Sequence, residues 1–298
     1  MKAMVLAAGF GTRLRPYTLK RPKPLFPVLD TPILLHTLTQ LRRNGVEGIV
    51  VNAHHLREQV KVLLHDHEDV QVQMEDVELG TGGGLRLAQP YFAEAPFLAV
   101  NGDIVHDFDL AALYQAHCAS DAEVTMLLHD CPRFNNVRVD GEGRIVGFTG
   151  PAGEGERLLA FTGVQVLNPA VLNPIPAGVF YNSIDCYAEV IKSGGRIQSL
   201  IVSGHFWTDM GTPADYLKLH EDILLKKLPG FSSGNADTPF YLGKDLVLGA
   251  GVSMQDWVSI GHGATIGEGA SLTRVVVWDG ARVAPGSILV DSIITEGE

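Results

Sequence analysis

Cysteine is scarce in this 298-residue chain: Cys118, Cys131 and Cys186 are an odd, scattered set. They give neither a paired disulfide framework nor metal-ligand spacing, which points to a reducing, cytoplasmic setting. Long apolar runs are lacking too. No stretch approaches the roughly 18 residues that cross a bilayer, and the N-terminus carries no apolar segment of signal length, so neither a membrane partner nor a leader is expected. Positive charge is in deficit, with 23 Lys and Arg against 34 Asp and Glu. The net charge of −11 argues against general nucleic-acid binding. The 11 histidines show no His-Glu-x-x-His or His/Cys cluster and read as core or surface residues. What is present, 46% hydrophobic residues and 33 glycines, suits a folded protein with one large domain and a small one.

The scarce positive charge is unevenly placed. Residues 1–30 hold Lys2, Arg13, Arg15, Lys20, Arg21 and Lys23 against one acid, Asp30. These residues surround an apolar run, Met4-Val5-Leu6-Ala7, that reads as a buried strand opening into a glycine loop. Gly9 and Gly11 let backbone N–H groups approach an anion closely. Arg13 offers a fork for phosphate oxygens and Lys23 a point charge. No Gly-Lys-Ser/Thr triplet closes the loop, and Leu14 stands where the dinucleotide fingerprint needs its third glycine. A nucleoside triphosphate fits this arrangement better than a dinucleotide.

Further along, Asp30-Thr31-Pro32 reads as a helix N-cap, with a helix to Asn44-Gly45. Gly48–Ala53 reads as a buried strand, 56–64 as a helix and 70–74 as a strand. This alternation implies right-handed crossovers and a doubly wound, mostly parallel α/β sheet, with ligands at the carboxyl ends of its strands. Pro96–Asp103 is an apolar strand ending in a carboxylate, which is costly there unless it meets a cation or donors. Asp109 more simply caps a helix. The run Gly80-Thr81-Gly82-Gly83-Gly84 allows close backbone approach to a flat ligand such as a base and ribose. After residue 228, Pro229–Thr238 reads as a linker. Beyond it, Leu242, Leu248, Met254, Ile260, Ile266 and Leu272 recur every six residues, continuing less cleanly through Trp278, Ala284 and Val290. A second register runs through Val252, Val258, Ala264, Ala270 and Val276. Such a period marks a parallel β-helix of about three coils. The expected organisation is therefore a domain over 1–228, a linker over 229–240 and a β-helix over 241–298.

Several of these segments resemble one family. Leu6-Ala7-Ala8-Gly9-Phe10-Gly11-Thr12-Arg13-Leu14-Arg15-Pro16-Tyr17-Thr18 followed by Pro22-Lys23-Pro24 resembles the signature of sugar-1-phosphate nucleotidylyltransferases. Leu79–Leu85 resembles the family's second glycine element, Gly102-Asp103 its metal-binding Gly-Asp pair, and Trp207–Pro213 its Trp-x-Asp-x-Gly-Thr-Pro segment. The resemblance is to the mannose-1-phosphate guanylyltransferase and N-acetylmuramate-1-phosphate uridylyltransferase branches. It implies a Rossmann-like nucleotidyltransferase followed by a short left-handed parallel β-helix, making an NDP-sugar and pyrophosphate from an NTP and a sugar 1-phosphate. It implies Arg13, Lys23, Asp103 and Asp209 as catalytic residues, with Asp103 and Asp209 on Mg²⁺. Leu6, Ala8, Gly9, Gly11, Thr12, Arg13, Glu75, Gly80, Thr81 and Gly82 would line the nucleotide. Glu75 stands where the family reads the base edge; an acceptor-only carboxylate suits guanine or uracil, so GTP or UTP is favoured.

The sugar side departs from the family. Phe148-Thr149-Gly150-Pro151 replaces the common Phe-Glu-Lys-Pro element, and Phe161-Thr162-Gly163 replaces Asn-Ala-Gly. Thr162, Gly163, Asn182 and Asp185 are the sugar-side candidates. The β-helical tail reads as structural, or as the seat of a homo-oligomer. Two other readings are a regulatory paralogue that binds NDP-sugar without turnover, and a cytidylyltransferase acting on a non-sugar phosphate. The first would be expected to have lost its charged residues, and the second needs an aromatic cage that the sequence does not show.

Overall fold

The computed structural model describes residues 1–228 and 239–296. The segment expected as a linker, 229–240, therefore lies almost entirely outside the described residues. The chain forms two compact units, residues 1–10 with 37–207 and residues 11–36 with 208–298.

The first unit is a nine-stranded sheet with helices. Its strands are β1 (Lys2–Leu6), β2 (Gly48–Ala53), β3 (Val70–Met74), β4 (Phe97–Asn101), β5 (Val124–His129), β6 (Val137–Val139), β7 (Ile145–Gly147), β8 (Arg157–Leu167) and β9 (Ile197–Ile201). The order is β7-β6-β8-β4-β1-β2-β3, with β5 pairing both β8 and β9. β3, β2, β1 and β4 run parallel, joined by helices α1 (Ile33–Arg43), α2 (Arg57–Leu63) and α3 (Gly80–Phe92). The all-buried β2 is the apolar run expected of a strand covered on both faces. The long β8 follows the β6–β7 hairpin with no crossover helix, so it returns antiparallel to β4, β5 and β6. Two more helices belong here, α4 (Leu110–Cys118), capped by Asp109 as expected, and α5 (Ser183–Lys192). Phe92 of α3 stacks on Phe97 with ring centroids 3.7 Å apart, joining helix to sheet in the apolar core. All three cysteines are free.

At the start of α1 the structure differs from the sequence reading. Asp30 does not cap the helix. Pro27–Val28 and Thr31–Pro32 pair as a two-residue hairpin, and helix begins only at Ile33. Leu29 takes a left-handed φ of 60° in the turn, and Asp30 accepts from the Thr31 hydroxyl.

The second unit joins the loop 11–36 and helix α6 (Pro213–Leu224) to a stack of parallel strands consistent with a β-helix. One face contains β10 (Phe240–Leu242), β12 (Ser253–Ile260), β14 (Ser271–Val277) and β16 (Ile288–Ile294). A second contains β11 (Val247–Leu248), β13 (Thr265–Ile266) and β15 (Arg282–Val283). The first coil step follows the six-residue period: Leu242 pairs with Ile260, Leu248 with Ile266 and Met254 with Leu272. The next step is one residue short, so Ile266 pairs with Val283 and Leu272 with Leu289, in place of Ala284 and Val290. The slip arises between Gln255 and Val258, where Asp256 and Trp257 oppose Arg274 alone. Val275 and Val277 fill the coil interior, while Val276 faces the other way with Ser259 and Ile293, all buried. Helix α6 packs across β12, β14 and β16. The expected break at residue 228 is thus crossed by packing, because α6 buries the outer row of this sheet.

Candidate active site

In the first unit, Leu6, Asn52, Asn101 and Gln73 stand in one row at or one residue before the ends of the parallel strands. This is the carboxyl edge where open α/β sheets collect ligands. Gly102 N–H donates to Leu6 O at 2.8 Å, so Asp103 follows at that edge. Gly9 is exposed, with open space where a Cβ would stand.

Glu75 lies just beyond β3 and is 2% exposed. Its Oε1 accepts from Asn52 Nδ2 (2.8 Å) and Gln73 Nε2 (3.1 Å), and Asn52 Oδ1 in turn accepts from Ala7 N–H at 2.7 Å. The side chain is therefore tied to the signature loop through one amide. Its Oε2 is buried without a partner among the described residues. Burial pushes the carboxyl's pKa above its ordinary value, against the pull of the Asn52 and Gln73 hydrogen bonds. Sequence reasoning missed Asn52. An amide at the end of the buried β2 was the signal, since a buried polar group needs a partner.

The glycine run packs closely against its own chain. Gly82 and Gly83 N–H groups both donate to Tyr181 O, at 2.8 and 3.2 Å. A Cβ on Gly83 would stand 2.6 Å from Val179 O, and one on Gly84 2.8 Å from Asn52 Nδ2. Thr81 Oγ1 accepts from Ser183 N–H at 3.0 Å. The run makes room for segment 179–183 and for the Asn52–Glu75 pair, and the Gly82 and Gly83 N–H groups are engaged within the protein. On the sugar side, Thr162 is fully buried and its hydroxyl donates to Leu127 O at 2.8 Å, which removes that hydroxyl from any ligand. Gly163, at φ +84°, sits where a Cβ would press on Asn101 Nδ2 at 2.7 Å. Asn182 is exposed and makes no side-chain cap, and Asp185 is exposed in the first turn of α5. A cleft of about 530 Å³ opens at the carboxyl ends of β5 and β9, lined by His129, Asp130, Arg157, Ser203 and His205.

The second unit holds the charged set. Arg13 lies in a 3₁₀ turn, Thr12–Leu14, and Lys23 in another, Lys23–Leu25. Lys23 is 6% exposed, and its ammonium donates to Asp209 O at 2.8 Å. Asp209 Oδ1 accepts from Gly211 N–H at 3.1 Å, while Oδ2 lies 3.8 Å from Arg13 Nη2. A Cβ on Gly211 would come within 2.8 Å of both Arg13 Nη1 and Asp209 Oδ2, so the two side-chain ends close over this glycine. Two cations and a carboxylate far apart in sequence thus meet within one unit. Among the described residues, no three His, Cys, Asp or Glu side chains gather as a metal cluster, and no helix is long and apolar enough to cross a membrane.

The nucleotidyl transferase family model matches residues 2–226 of this chain. The chain belongs to that family. Among curated relatives of this nucleotidyl transferase, the probable mannose-1-phosphate guanylyltransferase 1 of Oryza sativa subsp. japonica is 32% identical, over 99% of this chain and 86% of that one. The UTP–glucose-1-phosphate uridylyltransferase of Synechocystis sp. is 28% identical, over 99% of this chain and 87% of that one. Among solved structures, a putative glucose-1-phosphate thymidylyltransferase from Bacillus anthracis superposes with a TM-score of 0.67 at 19% identity, over 80% of this chain and all of that one. That likeness carries the fold. The nucleotidyl transferase fold therefore matches the α/β expectation, with the mixed sheet and the slipped coil as its two amendments.

Proposed function

We propose that this nucleotidyl transferase makes an NDP-sugar and pyrophosphate from an NTP and a sugar 1-phosphate. The observation that carries the reading is the meeting of Arg13, Lys23 and Asp209 in one cluster of the second unit. The named activities of the relatives, guanylyl and uridylyl transfer to sugar 1-phosphates, support it. A sugar phosphate oxygen, already anionic at neutral pH, attacks the α-phosphorus in line. The new O–P bond forms as the bond to the β-phosphate oxygen breaks, and pyrophosphate leaves with that electron pair. No general base is required, so positioning and charge neutralisation supply the acceleration. Arg13 holds the departing pyrophosphate, and Lys23 neutralises charge between the α-phosphate and the incoming phosphate. Glu75 offers its unpartnered Oε2 to a ring N–H, which favours guanine or uracil.

The Asp209 carboxylate would suit Mg²⁺. Carboxylate oxygens suit a hard cation, and Mg²⁺ is commonly held through one or two carboxylates plus substrate phosphates. Gly211 N–H fixes Asp209 by one oxygen only. Asp209 would help to hold the ion, which would supply positive charge to phosphate oxygens. Lys23→Met is the test. It should lower pyrophosphate release at least about 100-fold, as for a lost transition-state charge contact. Turnover within a few-fold of the parent would remove Lys23 from the reaction.

A further inference from the structure

We propose that Trp278 is a positioning residue for the cationic loop, so that the β-helical tail sets the geometry of Lys23. The proposal rests on the reading of Lys23 given above. The sequence period placed Trp278 among the interior positions of the coil, but the one-residue slip takes Val277 inward and turns Trp278 out. There it is 2% exposed, against the loop of its own unit. Its ring meets Phe26 edge-on at 4.9 Å between centroids and Tyr17 at 6.4 Å, and the Arg21 guanidinium lies over it at 4.6 Å. The indole N–H donates to Tyr216 Oη at 3.1 Å, and that hydroxyl donates to Pro27 O.

The placement of these contacts along the chain gives them a consequence. Lys23 occupies a single 3₁₀ turn, too short to hold itself by internal hydrogen bonds. Trp278 grips the residues on either side of that turn, Arg21 before it and Phe26 after it. The tail adds polar ties to the same segment: Lys20 Nζ donates to Glu296 O at 3.0 Å, and Arg21 lies 3.8 Å from the Glu296 carboxylate. A turn clamped at both ends by one buried indole keeps the Lys23 ammonium on Asp209 O, so loss of the indole frees the turn before it unfolds the unit.

The test uses the full chain with Trp278→Ala, Trp278→Phe and, as a control for general weakening, Ile266→Ala in the coil interior, where that side chain is 1% exposed. Amide hydrogen exchange over residues 17–26 should rise about tenfold or more in Trp278→Ala. It should stay near the parent in Ile266→Ala at a matched distance below each protein's melting temperature. Pyrophosphate release, with whichever of GTP plus mannose 1-phosphate or UTP plus glucose 1-phosphate the parent turns over, should show kcat falling about tenfold or more in Trp278→Ala. Trp278→Phe, which keeps a ring against Arg21 and Phe26, should restore most of it. Unchanged exchange and kcat in a folded Trp278→Ala protein would overturn the proposal, as would equal losses in Ile266→Ala. A parent that turns over neither pair leaves the kcat comparison to another NTP and sugar 1-phosphate pair, while the exchange comparison still decides the clamp.

Discussion

At the scale of single residues, the chemistry concentrates in groups whose partners lie far away in sequence. Glu75 is the clearest case: one oxygen is held by Asn52 and Gln73, the other is buried and unmatched. If that oxygen accepts from a base N–H, Glu75→Gln places an amide where an acceptor is needed. We expect KM for the preferred NTP to rise about tenfold, or about 1.4 kcal/mol, with thermal stability unchanged or higher because a buried carboxylate is gone. Nucleotide titration of the variant checks it, and an unaltered KM would detach Glu75 from the base. Because burial already raises the Glu75 pKa, the acceptor is lost earlier than for an ordinary carboxylate as pH falls, so nucleotide affinity should weaken on the acid side. Arg13, Lys23, Asp103 and Asp209 were all legible as candidates, because glycine loops and strand-end carboxylates carry local marks. The Asn52 support and the contact of Lys23 with a backbone carbonyl were not, since neither leaves a spacing in the sequence.

At the scale of elements, glycine patterns proved ambiguous. The run at the start of α3 reads equally well as a ligand cradle or as a packing site, and the structure uses it for packing against segment 179–183. Gly83→Ala should therefore destabilise the protein by about 1–3 kcal/mol through overpacking, despite the better helix propensity of alanine. Denaturant midpoints at constant m-value measure this. In the second unit, the turn before α1 hangs on α6 through His220, whose Nε2 accepts from Leu29 N–H at 3.1 Å while its Nδ1–H donates to Tyr216 O at 3.0 Å. The Leu29 contact requires the neutral ring, with its proton on Nδ1, and burial lowers the pKa to about 4. Above pH 6.5 the imidazole is neutral in folded and unfolded chains alike. Between 6.5 and 4 the unfolded chain takes up a proton that the folded one refuses, so stability should fall by up to about 1.4 kcal/mol per pH unit. His220→Gln should flatten this limb of a melting-temperature profile, and an unaltered limb would assign the acid sensitivity elsewhere. The hexapeptide period was legible through its first coil. The missing residue opposite Trp257 was not, because a single deletion leaves an apolar pattern almost intact while inverting which side chains face inward.

At the scale of the molecule, the described chain is organised around packing and not around the order of its motifs. The signature segment begins in one compact unit and continues in the other, and the closing helix belongs with the solenoid. Removing residues 239–298 should therefore affect more than assembly: it strips the outer cover from α6 and the clamp from the Lys23 turn. We expect a truncated protein to lose most of its activity, and one that kept the parent kcat would return the tail to a purely structural role. Pyrophosphate release from the full chain decides whether the protein is an enzyme. The assay sets GTP, UTP, ATP, CTP and dTTP against mannose, glucose and N-acetylmuramate 1-phosphates, with Mg²⁺ and with EDTA. We expect Mg²⁺-dependent release for a GTP or UTP pair, equimolar with NDP-sugar and lost in Lys23→Met. Silence across the grid, with NDP-sugar still bound, would contradict it and leave a binding protein in place of an enzyme.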